Sequence, residues 1–471
     1  MKFLLLLVLC CPSEAGIEKP GVRSRLTLKG LQYGWRAGMQ ELEGRLPSLQ
    51  IPDVSGSIAV PVIGPIVYSV TGLQIQDLDL SNSNVSFISD TGLKAEVSAG
   101  QLRVTGNLKL RTFLFTASTI LEVSVRGLSF TGLLGVTSDD SGRCAVWDGG
   151  CSSNVGQVDI GFHGGSGWLF YMFRDAVAGP VHDALSTQIC PEFSKRVQQM
   201  EEVLSNMPVT HIVDSVSFLE FPLVGLPLIT EGTIDFFVKG QFAGHSQHWD
   251  FPEHPEKLVL PDIDSRMFLL ALSQFTANSA GYVHYKSGIL ERNITDDEIP
   301  KGSPLRLNTR SLSIFVPELL TRFPDSPPLL LHVSARSPPV VSCQPDLLTL
   351  ETSMDIRLFA MYPEQPPTPI FQIQAELQTQ VDILLSDENM GAALTLKNLT
   401  LTLVRSDAGP VKVDSMRNIF SLALKVAIFP LVNARLRNVF TFPTSPVRLQ
   451  NPVVNVLKGY LLIVSDLEMS P

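Results

Sequence analysis

The sequence predicts an α+β protein made of two bodies, each pairing long alternating strands with apolar-striped helices. Three observations carry that reading. One apolar stripe at helical spacing runs from Ser24 to Leu46. Apolar and polar residues alternate for 13 residues from Phe371 to Ile383, well beyond the usual five or six of a strand. A histidine- and proline-rich stretch, Gly244 to Asp264, lies between two segments of similar pattern. Long strands that bury only one face need a cover, and long helices supply it.

Residues 1–15 read as a secretory signal peptide: Lys2 is a minimal basic start, Phe3 to Leu9 an apolar run, and Ser13-Glu14-Ala15 a small-residue cleavage site. The mature chain is expected to start near Gly16 and to be soluble and extracellular. No later run reaches about 18 residues without a charge or a proline, so no transmembrane segment is expected. Leu28, Leu31, Trp35, Met39, Leu42 and Leu46 then step by 3, 4, 4, 3 and 4, one continuous helix face that Pro47 ends. Strand alternation follows from Leu73 to Leu80, with a phase slip at Asp77 that reads as a bulge. It recurs at Leu93 to Val97, Leu102 to Leu110 and Leu121 to Arg126.

A short strand, Gln157 to Ile160, and a glycine loop (Gly161, Gly164, Gly165, Gly167) lead into a second helical segment from Trp168 to about Met207. Pro180 and Pro191 should each kink or break it. The stretch after Gly244 reads as an extended, semi-rigid spacer. Beyond it come a short helix from about Leu312 to Phe323, strands at Phe371 to Ile383 and Leu394 to Leu403, and a final helix from Asp414 to Phe440 kinked at Pro430. The expected division is 1–15 signal, 16–208 first body, 209–243 central segment, 244–264 linker, 265–443 second body and 444–471 return and tail.

Composition narrows the function. Against 36 basic residues stand 46 acidic ones, a net charge of −10, which argues against nucleic acid as a partner and against any mechanism needing a broad cationic patch. Apolar residues make up 44% and charged ones only 17%, the balance of a chain with a large internal apolar surface. Losing the signal peptide also removes Cys10 and Cys11, leaving Cys144, Cys151, Cys190 and Cys343, which allow three pairings. A bond between Cys151 and Cys190 would tie a sheet to the helix packed on it, in an oxidising compartment. Asn84, Asn293 and Asn398 open glycosylation sequons.

Catalytic patterns are missing: there is no Gly-x-Ser-x-Gly elbow, P-loop, Gly-x-Gly-x-x-Gly or Cys-x-x-Cys. The expectation is therefore no enzyme, no catalytic residue and no cofactor. His245, His248 and His254 lie near Asp250 and Glu253, but a proline-rich spacer lacks the rigid support that ligands need, so no metal is expected. Ser166 sits among glycines that a tight turn before Trp168 explains. Periodicity alone makes the helix stripes plain core. If long sheets wrap long helices, a ligand cavity becomes the alternative.

A set of short motifs, in order along nearly the whole mature chain, resembles the bactericidal/permeability-increasing and lipopolysaccharide-binding protein family. They are Pro20-Gly21-Val22, Leu31-Gln32-Tyr33-Gly34, Ile51-Pro52-Asp53, Cys151-Ser152-Ser153, Gly167-Trp168-Leu169, Gln188-Ile189-Cys190 and Asp214-Ser215-Val216. Beyond the linker follow Asp264-Ser265-Arg266-Met267, Ile299-Pro300-Lys301, Pro317-Glu318, Phe323-Pro324, Pro338-Pro339, Leu431-Val432-Asn433 and Phe442-Pro443. The resemblance implies an elongated boomerang of two barrel-like lobes, each a long twisted antiparallel sheet wrapped on long helices, joined by a central sheet. Each lobe would hold phospholipid acyl chains in an apolar pocket. Leu28, Leu31, Trp35 and Met39 are the candidate lining, with Trp168 and Phe173 behind them. The family disulfide falls on Cys151 and Cys190, which leaves Cys144 and Cys343 as free thiols.

In the resembling proteins that bind lipopolysaccharide, lysines cluster at the outer tip of the first lobe. Here Pro47 to Gln50 and Ile58 to Pro65 carry no basic residue, and the other tip strand keeps only Arg103, Lys109 and Arg111. Val62 and Ile63 would give the tip an apolar character instead. The expected function is a secreted, monomeric, glycosylated lipid-binding protein that recognises lipopolysaccharide or another bacterial or membrane lipid in innate antibacterial defence. The alternative is carriage of neutral or zwitterionic lipid without lipopolysaccharide binding.

Overall fold

A computed structural model describes residues 19–45, 53–60, 64–113, 115–164, 174–245, 247, 249–263, 265–299, 306–437, 440–441 and 447–469. The signal peptide, Pro47 to Gln50, Val62, Ile63, Ser166, Trp168, Phe173 and His248 fall outside that set.

Long antiparallel sheets dominate. The first has seven strands, running Val54–Val60, Gly64–Asp79, Gly92–Arg111, Thr116–Ser138 and Cys144–Asn154, with Ser83–Ile88 and Gln157–His163 paired onto its middle strands. A second, also of seven, runs Glu291–Ile294, Leu329–Ala335, Leu347–Ala360, Thr368–Leu385, Asn389–Ser406 and Phe440–Thr441, with Val340–Gln344 beside the third. Between them a six-stranded sheet draws on both ends of the chain, in the order Leu228–Ile229, Thr233–Val238, Val22–Thr27, Phe268–Ser273, Tyr460–Met469, Val447–Leu457. A small sheet of Gln241–Gly244, Ser217–Glu220 and Thr210–Ile212 lies beside it in sequence.

Neither large sheet closes on itself, so the barrel-like lobes are open sheets. Among the described residues the end strand Cys144–Asn154 pairs only with Thr116–Ser138. Its other side is occupied by the helix Arg174–Ser205, which packs along it. A covered edge has no need of a strand partner.

The period-two pattern is realised almost as read. Thr368–Leu385 and Asn389–Ser406 each run 18 residues, and the register slips between Ile75 and Asp77 where the alternation changed phase. Other elements differ. Ser24 does not begin a helix: Val22–Thr27 is a strand and the helix spans Leu28–Arg45, because neighbours on both sides capture the strand. The helix Arg174–Ser205 continues through Pro180 and Pro191. Each proline removes one hydrogen bond, while the packing along Cys144–Asn154 holds the path.

The expected helix at Leu312 to Phe323 is two single turns, Thr309–Leu312 and Leu319–Arg322, divided at Pro317, which disfavours a helical residue before it. The last helix runs Val413–Ala423, widens into a π-turn over Leu424–Ile428, and resumes over Phe429–Leu436. The wider turn moves the carbonyl that the Pro430 ring would otherwise meet. Taken as one unit, Val413–Leu436 is long and apolar enough to cross a membrane by length and composition, which the search for uncharged runs did not find.

The proline-rich segment is strapped down. Leu258 and Leu260 are buried with Leu269, Ala271, Leu462 and Val464 on the central sheet. Arg23 donates to the Leu258 carbonyl at 2.8 Å and the Tyr460 hydroxyl to that of Val259 at 2.6 Å.

Candidate functional site

The first helix stands at the seam between the central sheet and the N-terminal sheet. A Cβ on Gly30 would sit 2.7 Å from the Met267 carbonyl oxygen, so a bare backbone is what lets the helix start so close. Leu28 and Leu31 pack with Phe87, Ile229, Ile234, Leu93, Val136 and Phe236. Lys29 reaches Asp466 at 3.1 Å, and the Tyr33 hydroxyl accepts from the Met469 amide at 3.2 Å. These contacts make the base of the helix structural. Farther along, Trp35 donates from Nε1 to Ser83 Oγ at 3.0 Å, and Met39 is half-buried. From Leu31 to Glu41 no side chain of this helix is fully buried.

The N-terminal sheet offers an apolar floor. Ile66, Val70, Leu108, Leu110, Leu121 and Phe162 are buried in one cluster built from strands and the loops between them. Among the described side chains of the second helix, Ala178 and Ile189 pack against it, both partly buried. That helix is fastened along one side instead. The Cys151–Cys190 disulfide spans 5.6 Å between Cα atoms, Phe130 and Phe193 meet edge to face at 5.6 Å, and the Val146 amide donates to Glu201 Oε2 at 2.6 Å. Cys144 and Cys343 are free thiols. Burial pushes Cys343 up to about 11, so it is inert as a nucleophile near neutrality.

At one end of the sheet, Lys109 and Arg111 project from the exposed side of Gly92–Arg111. Arg111 lies opposite Val67, which is 52% exposed. The turn that follows, closed by the Phe115 amide on Thr112 Oγ1 at 3.0 Å, presents Phe113 at 79% exposure. Sequence reading passed over Phe113, because one aromatic between two alternating runs reads as a strand end. Its position directly after the turn residue Thr112 was the available signal. Arg103 is not part of this tip: it lies eight residues back along the strand, roughly 26 Å at 3.3 Å per residue, and pairs with Asp77 at 3.5 Å.

Away from the tip, one ion pair links segments 70 residues apart. His284 Nε2 lies 2.7 Å from Asp214 Oδ2, and its Nδ1 is 2.7 Å from the Ala280 carbonyl. Burial alone would raise the Asp214 carboxyl. The Val216 amide, the His284 ring and Ser217 outweigh it and hold the group at about 2. Asn84, Asn293 and Asn398 are exposed on strands, with Asn293 Oδ1 2.9 Å from His332 Nδ1. Among the described residues no three His, Cys, Asp or Glu side chains converge as metal ligands.

The chain is similar to known proteins over its whole length. The N-terminal domain model of the LBP / BPI / CETP family matches residues 30–207 and the C-terminal one residues 211–469. A bactericidal permeability-increasing protein of Sebastes schlegelii is 33% identical over 98% of this chain and 100% of its own. The Homo sapiens lipopolysaccharide-binding protein is 27% identical over 99% and 97%. A crystal structure of lipopolysaccharide binding protein superposes with a TM-score of 0.61 at 25% identity, covering 96% of this chain and 99% of that one.

Proposed function

The chain belongs to the LBP / BPI / CETP family, and we propose that it is a secreted, non-enzymatic lipid-binding protein that recognises lipopolysaccharide or a related membrane lipid in antibacterial defence. The observation that carries this is the outer part of the first helix, where Trp35 and Met39 stay half-buried, in a body whose sheet carries a buried apolar cluster. Acyl chains entering there would gain about 0.8 kcal/mol per buried CH₂. Lys109 and Arg111 would meet headgroup phosphate through charge-assisted hydrogen bonds, with Phe113 and Val67 entering the apolar layer beside them. Trp168 and Phe173 remain proposed lining residues. In this reading 16–208 is the lipid-binding body, 209–243 and 444–471 build the shared sheet, 244–264 straps it, and 265–443 is the second body. The disulfide and the exposed sequons support a secreted glycoprotein, and a monomer suffices for the site.

The lipopolysaccharide ligand is taken from the relatives' names. A second reading, carriage of neutral or zwitterionic lipid, is favoured by the pairing of Arg103 with Asp77 and by the net charge of −10. Titration against lipid A and against phosphatidylcholine vesicles separates the two. The first reading predicts lipid A binding that weakens with salt and falls in Lys109→Ala/Arg111→Ala. Binding to both surfaces that ignores salt and survives that substitution supports the second. Purified protein carrying and taking up no lipid in native mass spectrometry overturns both.

A further inference from the structure

The helix Val413–Leu436 carries two apolar faces, and only one is used. Met416 and Phe429 are buried in the C-terminal core, with Ile419, Phe420 and Leu424 packed against it. Asn433 completes the attachment: its Oδ1 accepts from the Leu394 amide at 2.8 Å and its Nδ2 donates to the Leu394 carbonyl at 3.1 Å, as a neighbouring strand would. A Cβ on Gly391 would come 1.9 Å from the Arg437 carbonyl oxygen, so the helix end rests directly on that strand.

The other face is open. Leu422, Val426 and Leu431 are 57%, 68% and 70% exposed. They step by 4 and then 5, and the five-residue step crosses the π-turn Leu424–Ile428. The wider turn keeps Leu431 in the row that an uninterrupted α-helix would rotate away. Scattered exposed apolar residues are ordinary, but an aligned row on a single helix is a surface.

Charge selects the occupant. Over Val413 to Arg437 the basic residues are Arg417, Lys425, Arg435 and Arg437 against the single acidic Asp414, in a chain whose net charge is −10. Asp414 is taken up by Arg417 at 3.6 Å, whereas among the described residues Lys425, Arg435 and Arg437 form no ion pair. An apolar row beside uncompensated cations has the chemistry of a helix lying in the interface of an anionic bilayer. It would lie on the membrane and not span it, because its opposite face is committed to the protein core.

We propose that the Leu422–Val426–Leu431 face, flanked by Lys425 and Arg435, is a second lipid contact that docks the C-terminal body on an anionic membrane surface. It shares no residue with the N-terminal site and stands if that site takes no lipid. The test uses the full chain with vesicles of phosphatidylcholine alone and of phosphatidylcholine with one-third phosphatidylglycerol. Hydrogen exchange should slow over 413–437 with the anionic vesicles. Leu422→Ser/Val426→Ser/Leu431→Ser should weaken that binding by about tenfold or more, from the apolar area lost. Lys425→Glu/Arg435→Glu should do so with the apolar row intact, and both variants should keep the wild-type circular dichroism. Binding and exchange unchanged in both variants overturn the proposal. A concentration-dependent dimer abolished by the serine variant also overturns it, since the occupant would then be a second copy of the chain. Loss of lipid from the N-terminal body with the helix response retained would fault the preceding reading alone.

Discussion

The two seven-stranded sheets are covered in different ways. In the C-terminal body, the segment between the turns Thr309–Leu312 and Leu319–Arg322 drops Phe315 and Val316 into the core at 1% and 0% exposure. With Leu319, Met416 and Phe429 they complete a cluster of 19 buried residues among those described. Among the described residues of the N-terminal body the matching cluster has 11, drawn from strands and the loops between them. Its two long helices stand at the seam and along one edge. One strand architecture thus carries a core to which helices and turns add bulk in one body and, among the described residues, a core drawn mainly from strands in the other. Where helices bring their own bulk, the sheet is stabilised. Where they stay half-buried, as at Trp35 and Met39, the proposed lipid site lies.

The largest expected effect falls on what the bodies share. Asp235 is fully buried and holds Arg23 at 2.5 Å and Arg25 at 2.7 Å across the central sheet. Asp235→Ala takes the shared acid from part-buried Arg23 and from buried Arg25, which keeps only the exposed Asp262, and should cost about 3–5 kcal/mol, read by chemical denaturation. Loss confined to one body would show that the halves do not lean on that sheet. Next comes Phe315→Ala, at about 3–5 kcal/mol for a filled core. Its counterpart Trp35→Ala should cost no more than about 2 kcal/mol, since Trp35 is only half-buried, yet it should reduce bound lipid where Phe315→Ala does not. Equal stability losses would erase the contrast.

Cys151→Ser opens a link between residues 39 apart, worth about 2–4 kcal/mol. It should loosen the helix Arg174–Ser205 and the proposed N-terminal lipid site while the C-terminal body keeps its melting transition in calorimetry. The smallest effect is electrostatic. Asp214 sits at about 2 when folded, against an ordinary 3.8. A carboxyl depressed by folding contributes stability above its unfolded value, and that contribution fades as pH falls from about 4 toward 2. The side chain is 36% exposed, so less than about 1 kcal/mol is at stake. Asp214→Asn should flatten the change in melting temperature across that window, and an unchanged slope would remove the pair from the account.

Much of this contrast was legible in the residues, and the rest was hidden for physical reasons. Strands such as Thr368–Leu385 bury one face, so their alternation is written directly into the sequence, down to the slip at Asp77. The Cys151–Cys190 link followed from family resemblance. Val22–Thr27 was concealed because it alternates poorly and owes its form to partners more than 200 residues away. Composition suggested an extended, semi-rigid spacer at 244–264, yet Leu258 and Leu260 are buried, since a sheet face elsewhere needed covering. At the site, Leu28 and Leu31 belong to the same stripe as Trp35 and Met39. Periodicity cannot tell a stripe's structural base from the end proposed to face lipid, and the packing of Phe87 and Ile234 is what divides them.

The most direct measurement is photocrosslinking with a phosphatidylcholine that carries a reactive group in its acyl chain, followed by peptide mapping. The account predicts adducts in 31–45 and 174–189, beside the N-terminal floor, with none in 307–323. Adducts concentrated in 307–323 would contradict it, for they would place the acyl chain inside the C-terminal core.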